Sequence, residues 1–435
     1  MNKIFPQISK HIGVVESFDI DSGHGIVSCS DERDSDLQKQ KVAFCLTGEK
    51  ILFDKLKYRR ATYYTFAKVI ENPNTQRVEQ KCPHFTICGG CLFQHMSDAL
   101  YREHKLKKVK NILHHYQEKI TDLIVIPSGL RRKANFEAIK KQDKIYLGFH
   151  RFNSRQIINL ETCRILRQEI VSLIEPLKKL LMEILNEFDK AEFFITLAEN
   201  GLDVGLEIQN VKFLQEEKKI IIQQFGIENG LQRFTFRHGK KFDEIFCANE
   251  KPYLKFASYK VSINPWSFMQ TSKEAESAML GEMQNMLNLC SKKDSCIDLF
   301  SGRGTYTLSL IHNFRKIKAV ELSEESISAL NEVKDLYDLP IESEIRNLFE
   351  KPVESRELNE FDVAIINPPR AGAESQSIEL AKSNVKNILY VSCNPETFAR
   401  DLKILENKYR LIDIKVIDQF IWSNHLEVIG FFELK

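Results

Sequence analysis

The C-terminal part of the sequence alternates between short apolar runs and longer amphipathic stretches. From about residue 266, residues with helical spacing follow four apolar runs, at 294–300, 317–322, 361–369 and 387–393. Repeated strand–helix units predict a mostly parallel sheet with helices on both faces. Ligands of such sheets bind beyond the carboxyl ends of the strands. Residues 266–435 are therefore predicted to form a Rossmann-like α/β domain with a ligand cleft at one edge of its sheet.

The rest of the chain has two other patterns. Five short strand patterns fall between residues 11 and 70, with turn residues separating several of them, which predicts a small β-barrel of the OB type. A polar stretch near residue 73 ends this region. Residues 74–265 mix a helical stretch with strands that alternate like those of antiparallel sheets. The predicted fold is thus a multidomain α/β protein, with an OB-like barrel (1–72), a central α+β domain (73–265) and the Rossmann-like domain (266–435).

Composition and charge narrow the functional classes. No apolar run approaches the ~20 residues of a membrane helix, and the N-terminus lacks a signal-peptide pattern, so we expect a cytoplasmic protein with no membrane partner. Ten cysteines in a long cytoplasmic chain do not indicate a disulfide framework. The net charge is only +2, but residues 101–165 contain 15 Lys and Arg against 6 Asp and Glu. Such a local excess indicates either a solvated face or an RNA-binding surface.

A glycine-containing turn follows the first strand of the C-terminal domain. Gly302 and Gly304 lie between a strand and a helix, and Glu321 ends the next strand. A carboxylate at that point suits the two hydroxyls of a ribose. The turn is G-x-G rather than G-x-G-x-x-G, so it fits a pyrophosphate poorly. A ligand with a ribose and no phosphate, S-adenosylmethionine, fits better than a dinucleotide, although a G-x-G is also found in plain strand–helix turns.

Four cysteines have a spacing that indicates a metal site. Cys82, Cys88 and Cys91 form C-x5-C-x2-C on a glycine-containing loop, and Cys163 follows later. Four thiolates can hold zinc or an iron–sulfur cluster. Zinc ribbons normally contain two C-x2-C pairs, and this segment contains one, so the pattern favours the cluster. His84 or His95 could complete a zinc site instead.

A fifth cysteine, Cys393, directly follows a buried strand pattern and directly precedes Asn394, Pro395 and an apparent helix. A thiol in this position could be a small core residue. It could also be a nucleophile that points into the ligand cleft.

Nearly the whole sequence resembles the bacterial RNA uracil-5-methyltransferases, and within them the iron–sulfur branch that acts on large-subunit ribosomal RNA. The resemblance rests on motifs in the family's order, namely "NPWSFMQ", "DLFSGRGT", "RNLF", "NPPRAG", "VSCNPETFARDL" and "HLE". The N-terminal segment "GVVESFDIDSGHGIVSC" resembles the family's RNA-binding TRAM barrel. The C-terminal domain would then be a class I methyltransferase domain, and the protein a monomer that modifies RNA, with ribosomal RNA favoured over transfer RNA.

The resemblance also implies the site residues. The catalytic residues are Cys393 and Glu427. The residues that bind S-adenosylmethionine are Gln270, Phe300, Thr305, Glu321, Asn347 and Asn367. The ligands of a [4Fe–4S] cluster are Cys82, Cys88, Cys91 and Cys163.

The implied chemistry explains why a thiol and a carboxylate are needed. C5 of uracil is a weak nucleophile, so a thiolate from Cys393 first adds to C6 and makes C5 enolate-like. C5 then takes the methyl group, and Glu427 removes the C5 proton. We expect the helix that starts near Pro395 to lower the pKa of the Cys393 thiol. Phe268, Phe420 and Trp422 are candidates for stacking on the uracil, although each of these aromatic residues is more often part of a core.

Two residues and one short segment depart from the family pattern. Asn347 and Asn367 stand where the family usually has aspartate, and "FIWSN" replaces the usual F-P-x-T before the last motif. Asn347 keeps a carbonyl acceptor for an adenine amino group. Asn367 lacks a carboxylate beside the chemistry, which bears on the rate and on the target.

Two other functions fit parts of the sequence. "NPP" is similar to the tetrapeptide of enzymes that methylate exocyclic nitrogens, but Arg370 replaces the aromatic residue that ends that motif. An RNA-binding protein that has lost catalysis would fit Asn367, but not an intact Cys393 and Glu427.

Overall fold

The computed structural model describes residues 7–29, 40–58, 61–64, 67–211, 213–238, 243–248 and 250–435. Its α-helices are α1 (Asp98–Ile112), α2 (Gln168–Ser172), α3 (Ile174–Ile184), α4 (Glu216–Glu228), α5 (Lys273–Leu287), α6 (Thr305–Ser309), α7 (Glu324–Tyr337), α8 (Ser355–Leu358), α9 (Glu374–Lys382) and α10 (Pro395–Leu405), with 3-10 helices at His114–Lys119 and Ile311–Asn313.

The β-strands of the first half of the chain are β1 (Gln7–Asp19), β2 (His24–Cys29), β3 (Gln40–Val42), β4 (Lys50–Tyr58), β5 (Ala61–Tyr64), β6 (Lys68–Glu71), β7 (Leu123–Val125), β8 (Lys133–Lys141), β9 (Lys144–Gly148), β10 (Lys190–Ala198) and β11 (Gly201–Ile208). Those of the second half are β12 (Arg233–Arg237), β13 (Asp243–Ala248), β14 (Tyr253–Phe256), β15 (Tyr259–Ser262), β16 (Ser295–Leu299), β17 (Lys316–Glu321), β18 (Ile341–Ile345), β19 (Val363–Ile366), β20 (Asn387–Ser392), β21 (Tyr409–Asp418) and β22 (Glu427–Leu434).

The chain divides into two compact units, and each unit is built from several separate segments of the sequence. The first consists of Met1–Asn111, His150–Gln156 and Trp422–Asn424. The second consists of Ile112–Phe149, Ile157–Ile421 and His425–Lys435. Short segments far apart in sequence therefore complete the first unit.

An antiparallel sheet forms most of the first unit. Its order is β3-β2-β1-β4-β5, with β6 also paired to β4. Strands occur in each of the five segments where the sequence predicts one. Their alternation buries Val15, Val27, Val42 and Phe53 together in one core. The Ala67 N–H donates to the Ala43 carbonyl at 3.3 Å, which joins the segment before β6 to the segment after β3.

The second unit contains a mixed sheet of order β13-β12-β11-β10-β8-β9. The strands that the sequence predicts between residues 133 and 208 are present as β8 to β11, and their pairings are antiparallel. Only β11 and β12 pair in parallel in this sheet as described. Asp203 on β11 accepts two hydrogen bonds from Arg233 on β12, at 2.8 and 2.7 Å, which compensates a carboxylate that is fully buried.

The second unit also contains the two-stranded sheet β14-β15 and an eight-stranded sheet of order β18-β17-β16-β19-β20-β22-β21-β7. The five strands from β18 to β20 are parallel, as the sequence predicts. Strand β17 lies on one side of β16 and β19 on the other. The strand order therefore reverses its direction at β16, and such a reversal opens a crevice at the carboxyl ends of the strands. The last strand, β22, runs antiparallel between β20 and β21.

One edge of this sheet comes from a distant part of the chain. Strand β7 pairs in parallel with β21, with Leu123 opposite Val416. Its three residues belong to the segment that the sequence assigns to the central domain. A strand this short has no periodicity of its own, and only its pairing partner identifies it.

Among the described residues, no helix combines the length and the apolar character needed to cross a membrane.

Candidate active site

The turn after β16 is shaped by three residues with positive φ, Phe300 (60°), Gly302 (57°) and Gly304 (85°). A Cβ on Gly304 would lie 2.7 Å from Cδ1 of Leu330, so only glycine fits there. A Cβ on Gly302 would meet nothing within 4 Å, so the backbone at Gly302 borders open space. This geometry allows a ligand to approach the main chain closely, and Thr305 begins α6 directly afterwards.

Glu321 is tied to this turn. Its Oε2 accepts a hydrogen bond from the Gly302 N–H at 3.0 Å, and its Oε1 accepts from the N–H groups of Leu322 and Ser323 at 2.8 and 2.9 Å. An ionised carboxylate has about four lone-pair positions, so these bonds fix its orientation and leave acceptor capacity for the hydroxyls of a ribose.

Five predicted site residues lie at the carboxyl ends of the five parallel strands. Phe300, Glu321, Asn347, Asn367 and Cys393 follow or end β16, β17, β18, β19 and β20 respectively. Because neighbouring parallel strands end at the same edge of a sheet, these residues border one crevice.

Contacts within the crevice orient three of these residues. The Phe300 ring lies 5.4 Å from the Phe349 ring, between centroids. The Asn347 Oδ1 accepts from the Phe349 N–H at 3.1 Å, and the backbone N–H of Asn367 donates to the Leu299 carbonyl at 3.2 Å. Asn347 and Asn367 therefore lie at the edge of the sheet where the sequence predicts the ligand cleft.

Cys393 and Glu427 are brought together by strand pairing. Strand β22 pairs antiparallel with β20, and Ser392 stands opposite Val428. Cys393 directly follows Ser392 at the end of β20, and Glu427 directly precedes Val428 at the start of β22. Antiparallel neighbours on the same face have Cβ atoms about 5 Å apart, so the register alone places the thiol and the carboxyl beside one another.

The structure contradicts the predicted pKa of the thiol. Burial raises the pKa of the Cys393 thiol from its usual value, the negative charge of Glu427 raises it further, and Arg370 lowers it. The sequence prediction of a lowered pKa, based on the helix that starts at Pro395, is wrong because burial and a neighbouring carboxylate outweigh that helix end. The group that stabilises the thiolate is the Arg370 guanidinium, which also lies against the His425 ring, with Nη2 2.8 Å from Nε2.

Glu427 is buried, and burial raises the pKa of its carboxyl to about 7. The Gln419 amide opposes this shift, because its Nε2 donates to Glu427 Oε1 at 2.7 Å and so favours the ionised form. Arg370 opposes it as well. A carboxyl with a pKa near neutrality is well suited to accept a proton and release it again.

Gln270 belongs to the same buried polar group. Its Oε1 accepts from Gln419 Nε2 at 3.1 Å, and its side chain opposes the rise that burial causes in the pKa of the Tyr306 phenol. Gln419 is held in turn by Thr271, whose Oγ1 donates to Gln419 Oε1 at 2.7 Å. A continuous set of hydrogen bonds therefore runs from Gln270 through Gln419 to Glu427.

Comparison with known proteins identifies the family. The family model described as tRNA (Uracil-5-)-methyltransferase matches residues 98–434. The chain belongs to this family. It is 33% identical over 404 residues to an uncharacterized RNA methyltransferase of Mesorhizobium japonicum, covering 89% of this chain and 91% of the relative. It is 27% identical to a 23S rRNA (uracil(1939)-C(5))-methyltransferase of Shewanella sediminis, covering 92% of this chain and 89% of the relative.

A solved structure shares the fold. The tRNA (uracil-54, C5)-methyltransferase of Pyrococcus abyssi, in complex with S-adenosyl-L-homocysteine, superposes with a TM-score of 0.71 at 22% identity and covers 97% of this chain and 100% of its own. The uracil-5-methyltransferase family membership makes this chain an RNA methyltransferase with S-adenosylmethionine as its methyl donor.

The four predicted cluster ligands are divided between the two units. Cys82, Cys88 and Cys91 lie in the first unit and Cys163 in the second. In the part of this uracil-5-methyltransferase that the structure describes, no group of three or more His, Cys, Asp or Glu side chains could hold a metal ion. Thiols are suitable donors for iron, but no metal group is found among these described residues, so no chemical step is derived through a cluster.

Sequence reasoning missed Gln419 and Tyr306. Neither residue belongs to a quoted motif as a functional residue, and neither carries a charge that would stand out in an apolar strand or helix. The sequence favours a core position for Phe268, and this expectation is wrong, because the Phe268 side chain is 78% exposed. Only the spatial neighbours of Glu427 and Gln270 reveal what these residues contact.

We expect Gln419→Leu to change the pH profile of this uracil-5-methyltransferase. Hydrogen bonds to charged groups contribute about 1.5–3 kcal/mol, and about 1.4 kcal/mol corresponds to one pKa unit, so losing this donor should raise the pKa of Glu427 by about one to two units. A carboxylate accepts a proton only when it is ionised, so we expect the acidic limb of kcat/KM against pH to move to higher pH by that amount.

The matched control for this experiment is Gln224→Leu. Gln224 also donates to a glutamate, Glu228, at 2.7 Å, but on the exposed helix α4. The control should keep the wild-type profile. An acidic limb that stays in place in Gln419→Leu would contradict the role given to Gln419.

Proposed function

We propose that this enzyme methylates C5 of a specific uridine in RNA, with 23S ribosomal RNA as the favoured substrate, through a covalent bond between Cys393 and C6 of the base. The observation that carries the proposal is the strand register that sets a thiol beside a carboxyl whose pKa is raised to about 7. The relative from Shewanella sediminis supports ribosomal RNA as the substrate. We propose that the enzyme acts in the cytoplasm as a monomer.

The proposed reaction begins with the thiol. The Cys393 thiol first loses its proton to water, and Arg370 stabilises the resulting thiolate. The sulfur then forms a bond to C6, and the electron pair of the C5–C6 double bond moves toward C5 and the C4 carbonyl. S-adenosylmethionine supplies an electrophilic methyl group: the C5 electron pair forms the new carbon–carbon bond while the sulfur–methyl bond breaks, and S-adenosylhomocysteine leaves with that electron pair. The base is then saturated at C5 and C6 and is still attached to the enzyme.

Glu427 completes the reaction. Its carboxylate takes the proton from C5, the electron pair re-forms the C5–C6 double bond, and the bond from C6 to sulfur breaks to return the thiolate. The raised pKa of Glu427 helps it hold this proton and then lose it to water. Gln419 keeps the carboxylate turned toward the thiol during these steps.

The uracil must leave its stack to reach this crevice. Phe268 is a suitable surface for it, because an exposed aromatic ring lies only two residues before the buried Gln270. Stacking of a base on an aromatic side chain contributes about 1–3 kcal/mol. This proposal explains why a large apolar side chain is left open to water.

The remaining RNA contacts are proposed to come from the basic segment and the N-terminal sheet. Of the basic residues between 101 and 165, Lys105, Lys108 and Arg132 are buried and serve the fold. Exposed cations of this segment that could contact phosphate groups include Lys107, Lys141, Lys144, Arg151 and Arg155. We propose that residues 1–72 act as a TRAM-type RNA-binding module, 73–265 as the central domain and 266–435 as the methyltransferase domain.

RNA that contains 5-fluorouridine tests the proposed function. Fluorine at C5 cannot be removed as a proton, so an enzyme that adds to C6 and methylates C5 stays covalently attached to the RNA. We expect a band in a denaturing gel that requires both S-adenosylmethionine and the fluorinated RNA. An enzyme that methylates ordinary RNA and forms no such band would instead be an amino-methyltransferase, and one that binds RNA without methylating it would have lost catalysis.

A [4Fe–4S] cluster on Cys82, Cys88, Cys91 and Cys163 is the second part of the proposal, supported by the chemistry and spacing of the four thiols. Protein purified without oxygen should be brown and contain about four irons per chain. Cys88→Ser should lose the iron, whereas Cys290→Ser, at a half-buried thiol outside the motif, should keep it. Colourless protein with stoichiometric zinc would contradict the cluster.

A further inference from the structure

The segment from Asn264 to Gln270 serves two sides of the active site at once. Gln270 is 6% exposed and joins the buried hydrogen bonds that lead to Glu427, whereas Phe268 is 78% exposed. Any force that positions this segment therefore acts both on the buried polar group and on the ring proposed to hold the RNA base.

One side of the segment rests against the mixed sheet. A Cβ on Gly205 of β11 would lie 2.6 Å from Cβ of Pro265, so the segment lies directly on the strand backbone. The Arg237 guanidinium lies over the Trp266 ring, with Cζ 3.4 Å from the ring centroid. These contacts form a close-packed support with little room to give.

The other side of the segment is joined to the turn that borders the donor site. Arg303, between Gly302 and Gly304, donates through Nη1 to the Ser262 carbonyl at 3.0 Å and through Nη2 to Glu325 Oε1. The same Glu325 oxygen accepts from the Asn264 side-chain amide. Glu325 at the start of α7 is thus the common acceptor of the turn and of the segment.

Asn264 passes this contact on to the segment. Its Oδ1 accepts from the Trp266 N–H at 2.9 Å and from the Ser267 hydroxyl at 3.0 Å. Arg303 is 6% exposed, so its charge depends on the Ser262 carbonyl and the Glu325 carboxylate for compensation. A shift of the turn must therefore either carry the segment with it or leave a buried cation without its partner.

We propose that Arg303, Glu325 and Asn264 couple the donor turn to the Phe268 segment, so that the adenosyl ligand and the RNA base bind with positive cooperativity. The inference rests on the proposed function, since it needs an RNA base at Phe268. A ligand that binds to the turn holds Glu325 in place, and Glu325 then holds the segment in place. The second ligand therefore binds without the entropy cost of ordering the segment itself. By thermodynamic linkage, RNA must tighten adenosyl binding by the same factor as the adenosyl ligand tightens RNA binding.

Equilibrium dialysis with radiolabelled S-adenosylhomocysteine tests the coupling without turnover. The dissociation constant is measured with and without saturating, unmodified 23S rRNA transcript. In the wild-type protein we expect RNA to tighten binding about fivefold or more, the lower end of usual coupling between sites. In Glu325→Gln and in Asn264→Ala the factor should fall to about one, while binding without RNA changes far less.

The matched control is Glu324→Gln, which removes the same charge from the neighbouring exposed position and should keep the wild-type factor. Coupling that survives in both Glu325→Gln and Asn264→Ala overturns the inference, as does a wild-type protein that traps 5-fluorouridine RNA but shows no coupling. A protein that forms no trapped complex overturns the proposed function, and the inference falls with it. The trapping assay therefore separates the two failures.

Discussion

Cys393→Ala is expected to abolish methylation and every covalent complex with RNA. Without the sulfur no bond forms to C6, so C5 never becomes nucleophilic enough to take a methyl group. Loss of a residue that forms the covalent intermediate costs roughly 10⁴-fold or more in turnover, which should bring the rate to the detection limit. Methyl incorporation into RNA and a denaturing gel with 5-fluorouridine RNA measure the two effects.

Two controls keep this result interpretable. Cys290→Ala removes another half-buried thiol, whose pKa burial raises to about 11, and should leave activity intact. Cys393→Ala should still bind S-adenosylhomocysteine, because the proposed donor contacts are on the turn after β16 and at Glu321, which is bonded to that turn. Methylation that persists in Cys393→Ala would make the thiol a core residue and favour methylation of a base nitrogen.

Glu427→Gln is expected to stop the same reaction at a later point. Addition to C6 and methyl transfer do not require Glu427, but a glutamine cannot accept the C5 proton. The variant should therefore accumulate a methylated, covalent RNA complex on ordinary uridine RNA, while turnover falls by about 10²–10⁴-fold, the usual contribution of a general base. A shifted band in a denaturing gel, without fluorinated RNA, is the measurement.

The control for this variant lies on the same strand. Glu433→Gln changes an exposed glutamate of β22 and should turn over at the wild-type rate without a shifted band. Normal turnover in Glu427→Gln would show that the proton goes to another group. A loss of activity with no accumulated complex would instead place Glu427 before the methyl transfer.

Much of the site follows from sequence patterns that have short-range causes. The strand, the G-x-G turn and the acidic residue at the end of the next strand are local features, and the structure contains them at Gly302, Gly304 and Glu321. The position of Cys393 at a strand end is local as well. Once the strands are known to be parallel, their carboxyl ends must meet at one edge.

The remaining features depend on contacts between distant residues. The pairing of Ser392 with Val428 is a question of register, and a slip by one residue would turn Glu427 to the other face of the sheet. The pKa of the Cys393 thiol is set by burial and by Glu427, which no local pattern contains. Gln419 is recognisable only by the two side chains that it contacts, Gln270 and Glu427.

Strand β7 has a consequence for the methyltransferase sheet when it is studied in isolation. A fragment that starts at residue 266 would lack Leu123–Val125 and would leave the outer backbone groups of β21 from Val416 to Asp418 without their partners. Unpaired edges of this kind recruit strands from other molecules. Such a fragment is therefore prone to self-association, whereas one that begins upstream of Leu123 keeps its own edge strand.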